Sequence, residues 1–155
     1  MTVHFHSPLR VAAFTALLAS TAPALAIEAF TADYQATAMG MQGDGKVVIS
    51  AQPNNRWQYA MTVKNQLVDL SQKTIFDEQK TWLRPISSSD LSRLLVKKVA
   101  VNTNFDWTKN QATWTGDVKP ERAGPVTLKT GDMDALLVNM AIVRDLAAGR
   151  PLTYR

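Results

Sequence analysis

Apolar and polar positions alternate along this chain in short runs broken by glycine, proline and asparagine. That period of two predicts strands with one buried face. Phe30, Ala32, Tyr34, Ala36 and Ala38 alternate with Thr31, Asp33, Gln35 and Thr37, which gives a first strand. Gly40, Gly43, Asp44 and Gly45 then cluster as a turn, and Lys46 to Gln52 is apolar and β-branched enough to return as a second strand. After a turn at Pro53-Asn54-Asn55, Trp57, Tyr59, Met61 and Val63 point one way and Arg56, Gln58, Thr62 and Lys64 the other. The opening of the chain therefore reads as an antiparallel meander.

The middle is less regular. Leu67 to Leu70, Thr74 to Asp77 and Thr81 to Ile86 each have strand composition, with Pro85 suited to a strand edge or end. Ser87-Ser88-Ser89-Asp90 predicts a loop or a helix cap, and Leu91 to Val96 a brief helix or, preferably, a loop entering a long strand. In that strand Val99, Val101, Thr103, Phe105 and Trp107 share a face, and Gln111 to Thr115 returns beside it after Thr108-Lys109-Asn110. Glu121 to Pro125 is a turn before Val126 to Lys129.

One helix is predicted, over Met133 to Ala148. Asp132 suits its amino cap, Asp134 the positive end of its dipole, and Gly149 with Pro151 its stop. Met133, Leu136, Leu137, Met140, Val143 and Ala147 form an apolar stripe that only the sheet can cover. Pro151 to Arg155 looks like the opening of one more strand. The expected fold is mainly β: a curved, half-barrel-like antiparallel meander packed on one amphipathic helix near the carboxyl terminus.

Residues 1–26 change the picture from fold to address. A polar stretch from Met1 to Arg10, an apolar stretch from Val11 to Ala19 and the small-residue step Ala24-Leu25-Ala26 are the three zones of a cleavable secretory signal, in order. The expected mature protein is a single exported domain over residues 27–155. The apolar run is far short of the roughly 20 residues needed to span a bilayer, so no membrane span is expected.

Charge then narrows the partners. The whole chain has 17 Lys and Arg against 13 Asp and Glu, and removal of residues 1–26 takes away Arg10 and both histidines. The remaining cations are scattered, with Lys97-Lys98 the one adjacent pair, whereas a nucleic-acid binder gathers them on a stripe. No nucleic-acid role is expected. With no cysteine anywhere, burial and hydrogen bonding must hold an exported fold without disulfides.

From residue 27 onward there is neither His nor Cys, which excludes Ser-His-Asp and Cys-His catalysis, His or Cys zinc sites and His-ligated haem in that segment. Gly40, Gly43 and Gly45 lack the Lys-Ser/Thr of a phosphate loop. Asp77-Glu78 lacks the dense oxygen set that calcium requires, so neither metal nor cofactor is expected. Asp132 and Asp134 are the best-placed carboxylate pair, although acids at a helix amino end are stabilising without catalysis. Trp57, Tyr59, Trp82, Trp107 and Trp114, all on expected strands or strand ends, either line a pocket for an apolar ligand or a sugar face, or fill the core.

Several short motifs bear on family. Trp82-Leu83-Arg84-Pro85, the strand end Phe105-Asp106-Trp107, and Leu128-Lys129-Thr130-Gly131-Asp132-Met133-Asp134 running into a helix closed by Gly149-Arg150 resemble the domain-of-unknown-function family numbered 3108 over about Phe30 to Arg155. The resemblance implies an exported envelope protein of Gram-negative type, with a curved sheet around a helix and, here, a carboxyl end shorter than usual. A looser similarity, of fold only, is to the periplasmic lipoprotein carriers that hold acyl chains. The expectation is a non-catalytic envelope protein that binds a lipid or other hydrophobic ligand, or another envelope protein. Its competitor is a carboxylate-dependent hydrolase of envelope glycans, which needs two carboxyl groups facing each other roughly 5–9.5 Å apart, drawn from Asp106, Asp117, Asp132 and Asp134.

Overall fold

Hairpin follows hairpin, because each strand ends in a turn short enough to send the chain straight back beside itself. The computed structural model describes residues 27–38 and 41–154, so the expected signal over residues 1–26, Gly40 and Arg155 lie outside the described residues. The strands are β1 (Phe30–Ala38), β2 (Met41–Gln52), β3 (Arg56–Lys64), β4 (Val68–Glu78), β5 (Leu83–Leu94), β6 (Lys97–Asp106), β7 (Gln111–Gly116) and β8 (Val126–Thr127), and one helix, α1 (Ala135–Ala147), follows. All neighbours pair antiparallel, in chain order, with β1 and β8 at the two edges. The mainly-β meander with its carboxyl-terminal helix is thus as expected, and the sheet is open rather than closed.

Turn chemistry sets the register. Asn54 and Asn55 take φ of 62° and 55°, a left-handed conformation that asparagine tolerates better than most residues. Asn65 accepts the Leu67 and Val68 amides through its side-chain oxygen, and Asp106 does the same for Thr108 and Lys109.

Several expectations are corrected. The glycines expected to turn the chain lie inside β2: Gly43 pairs with Ala36 and Gly45 with Tyr34. The cause is steric, since a Cβ on Gly45 would come within 2.1 Å of the Tyr34 ring, which occupies that space. Val68 to Leu70 and Thr74 to Asp77 belong to one strand, β4, with Leu67 in the turn before it, and the expected strand over Thr81 to Ile86 begins at Leu83 and runs on to Leu94. Ser87 to Asp90 is therefore neither loop nor cap but mid-strand. Ser88 pairs with Thr74 on one side and Thr103 on the other, so two ladders of backbone hydrogen bonds override a turn-forming composition. Pro85 sits within β5 beside a bulge at Ile75/Phe76, where the ladder is already interrupted and its missing N–H costs little. Leu91 to Leu94 completes β5, leaving a two-residue turn in place of the helix. Pro120–Arg122 forms a single 3-10 turn before β8, which stops at Thr127.

Helix α1 begins two residues later than expected, and its cap is Asp134, whose carboxylate accepts the Leu137 amide. Asp132 instead closes the preceding turn by accepting the Lys129 amide. The helix packs on β4 and β5 around Phe76, Leu83, Leu137 and Ala141, all fully buried. Each of the three large side chains contributes about 2 kcal/mol by leaving water. Of the expected stripe, Leu136 and Leu137 are buried, whereas Val143 is 69% exposed and the buried line runs through Leu137, Ala141 and Asp145. Pro151 to Tyr154 forms no strand: Tyr154 turns back against the core and donates its hydroxyl to Asp145 at 2.9 Å.

Candidate functional site

One face of the sheet carries the apolar set Ile49, Trp57, Tyr59 and Phe76, because the register places them side by side across β2, β3 and β4. Helix α1 covers chiefly the β4–β5 part of that face. Beside the helix an open groove of about 350 Å³ remains, with Ile27, Phe30, Ile49 and Tyr59 on the sheet side and Met140 and Val143 on the helix side. Arg144 stands at its border. The groove is formed because the helix faces β4 and β5 with Leu137 and Ala141, which turns its Met140–Val143 flank over β1 to β3 without filling the space.

On the far side of Arg144 lies a second, polar cleft of about 500 Å³, bordered by Lys80, Trp82, Arg144, Arg150 and Tyr154. Asp145 is its keystone, only 6% exposed. Its carboxylate accepts from Arg144 Nε at 2.9 Å, Arg150 at 2.8 Å and the Tyr154 hydroxyl. The hydrogen bond from Arg144 leads the forces that hold the Asp145 carboxyl below the usual carboxylate range, against its burial and with help from Tyr154 and Arg150. Burial, followed by the neighbouring Asp145, pushes the Tyr154 hydroxyl up. Two arginines on one carboxylate, with Lys80 also bordering the space, leave the cleft positive.

The five aromatic residues do not share one pocket. Tyr59 lines the apolar groove, and burial, with Tyr34 adding, raises its hydroxyl pKa. Trp57 packs against the core from β3. Trp82 borders the polar cleft and meets Trp107 edge-on, ring centroids 5.0 Å apart, while the Trp107 indole N–H donates to the Pro85 carbonyl at 2.6 Å. Trp114 is half-buried on β7, opposite Thr103, its backbone tied to Ala123. The core reading fits Trp57, the Trp82–Trp107 pair clasps the start of β5, and only Tyr59 belongs to the groove.

The four candidate carboxylates each close a local structure. Asp106 binds the β6–β7 turn, Asp117 accepts the Ala100 amide, Asp132 holds the turn before α1 and Asp134 caps the helix while accepting the Thr74 hydroxyl at 2.5 Å. Burial leads in pushing the Asp134 carboxyl above the usual range, opposed by the Thr74 and Leu137 hydrogen bonds and assisted by the charge of Asp90. Asp90 itself accepts from Gln72 at 2.8 Å. No cluster of three or more His, Cys, Asp or Glu suited to a metal ion occurs among the described residues.

Sequence reasoning missed the Asp145 cluster. Its signal was present, because Asp145 continues the Leu137–Ala141 line at helical spacing, and an acid on a buried line requires partners. Comparison of the chain with family models, characterised proteins and solved structures gives no match.

Proposed function

We propose that this protein is a non-catalytic periplasmic protein of the cell envelope, of the type suggested by its resemblance to family 3108, and that it binds a hydrophobic ligand between α1 and strands β1 to β3. The groove is the observation that carries this reading. Its volume, about 350 Å³, falls in the range of small-molecule sites, roughly 300–1,000 Å³, and its walls are mostly aliphatic and aromatic. Native mass spectrometry of the protein purified from the periplasm tests it: a co-purifying lipid-sized mass is expected, and Val143→Asp, a change at an exposed groove position, should remove it while leaving the fold intact. A bare protein mass, together with failure to bind an added apolar dye, would sink the reading.

One observation favours a second mode, binding of another envelope protein. Strand β1 offers nine residues with one side unpaired among the described residues, the arrangement to which a partner strand adds by main-chain hydrogen bonds. Cross-linking from position 33 on β1 in the living cell would yield a discrete heterodimer under this mode and only monomer under the ligand mode.

A further inference from the structure

Three consecutive large apolar residues, Leu94, Leu95 and Val96, stand at the tip of the β5–β6 hairpin, 59%, 63% and 101% exposed. Burial of apolar surface drives folding, so an exposed run of this kind is unexplained by the fold and marks a contact surface. The turn also runs against its own local preference. Leu94 pairs with Lys97, which makes Leu95 and Val96 a two-residue loop, and Leu95 has a φ of 54°. That left-handed position favours glycine, and a leucine there bears a conformational cost that glycine would not. A residue that is unfavourable for the turn and unfavourable in water has its compensation outside the folded chain.

The surroundings identify the partner. The Leu95 amide donates to the Leu67 carbonyl at 2.8 Å, which draws the β3–β4 turn alongside and adds exposed Leu67 to the apolar tip. Behind the tip stand Lys64, Arg93, Lys97 and Lys98. The nearby carboxylates, Asp44 and Asp69, sit beside Lys64. Asp69 also pairs with Arg93, whereas Lys97 and Lys98 pair with Leu94 and Arg93 across the hairpin, so the four cations around the tip outnumber these two acids. An apolar apex backed by a cationic collar matches the order of an anionic bilayer, with acyl chains within and phosphates outside.

We infer that this hairpin docks the protein on an anionic lipid surface, Leu94, Leu95 and Val96 entering the boundary between headgroups and acyl chains while Lys97 and Lys98 lie against lipid phosphates. The tip is at the end of the sheet away from Phe76 and Leu83, so the helix-flanking groove stays clear of the membrane plane. The inference does not depend on the groove being a ligand site.

Flotation of the full chain with phosphatidylglycerol vesicles, beside phosphatidylcholine vesicles, tests it. Leu95→Gly with Val96→Asn places glycine where φ is positive, so this variant keeps its fold, checked as an unchanged or raised Tm. It should lose about tenfold in partition onto phosphatidylglycerol. Lys97→Gln with Lys98→Gln should weaken partition onto phosphatidylglycerol about fivefold per cation and leave phosphatidylcholine partition unaltered. Because every variant retains residues 1–26, the differences between variants on one vesicle type report the hairpin. The proposal is overturned if the Gly/Asn variant floats like the parent, if the parent does not prefer the anionic vesicles, or if the Gly/Asn change abolishes self-association of a chain that does not bind vesicles, which would make the tip a protein contact.

Discussion

Asp134, the cap of α1, and Asp145, within it, are both acids, yet their surroundings push them in opposite directions. Asp145 is held low by Arg144 and its companions, so its folded-state pKa lies below its unfolded one. Its stabilisation is complete above the unfolded carboxylate pKa, about 4, and is lost as pH falls through the lower folded value. Asp77 behaves likewise: burial would raise it, but the Arg84 and Gln79 hydrogen bonds and the charges of Arg84 and Arg56 outweigh burial and hold it low. Asp134 has the reverse sign. Its raised folded pKa means that it favours the folded state as pH falls and costs stability as pH rises through the folded value.

Two predictions belong to these residues. Asp145→Ala strands the Arg144 guanidinium, which is largely buried, and should cost about 3 kcal/mol in urea denaturation at neutral pH; a loss no larger than that of a surface substitution would show that the cluster is not structural. Asp134→Asn keeps a cap that accepts the Leu137 amide while removing a buried charge, so it should be at least as stable as the parent at pH 7, whereas Asp134→Ala should lose about 1 kcal/mol. Equal losses in the two variants would refute this account of the cap.

At the scale of the element, β2 and β5 show why composition alone misplaces strands. Glycine in a strand ordinarily weakens it, but Gly45 is required where the Tyr34 side chain crosses from the neighbouring strand. Gly45→Val should therefore cost about 2 kcal/mol in the parent, by overpacking, and become neutral or favourable when Tyr34→Ala empties the space. Additive effects in that double-mutant cycle would mean that the ring and the glycine do not interact. Helix α1 shows the converse. Its period was legible, but the side of the helix that meets the sheet was set by Leu137 and Ala141 falling into contact with Phe76 and Leu83, which left Val143 outside.

At the scale of the molecule, the helix rests chiefly on two of the eight described strands, and the groove is the space left beside that contact. Leu137→Ala should cost about 3 kcal/mol, chiefly by leaving a cavity between α1 and the Phe76–Leu83 pair. Since α1 packs chiefly on β4 and β5, its opening is expected to be easier than that of the central sheet. In native-state hydrogen exchange, the amides of α1 should exchange at lower free energy than those of β4 and β5, and bound ligand should raise α1 selectively. Uniform protection of helix and sheet would contradict that view.

Pattern alone determined the class of fold and much of its layout. Alternation placed β3 and β6, because a half-buried strand writes its two faces into neighbouring residues, and it placed β1 as well, although the described side chains of that edge strand are exposed. Helical spacing with Gly149 beyond it placed α1, since those signals act within a few residues of one another. Tertiary structure alone decided what distant residues impose on each other. The passage of Ser87–Asp90 through mid-sheet depends on β4 and β6 supplying partners on both sides, the strand role of Gly43 on the Lys64 carbonyl and that of Gly45 on the Tyr34 ring of the neighbouring strand, and the buried Asp145 on Arg150 and Tyr154 returning past the helix end. The candidate groove is of this second kind. It is the space left by how far a helix reaches across a sheet, a property of packing that no local stretch of sequence encodes.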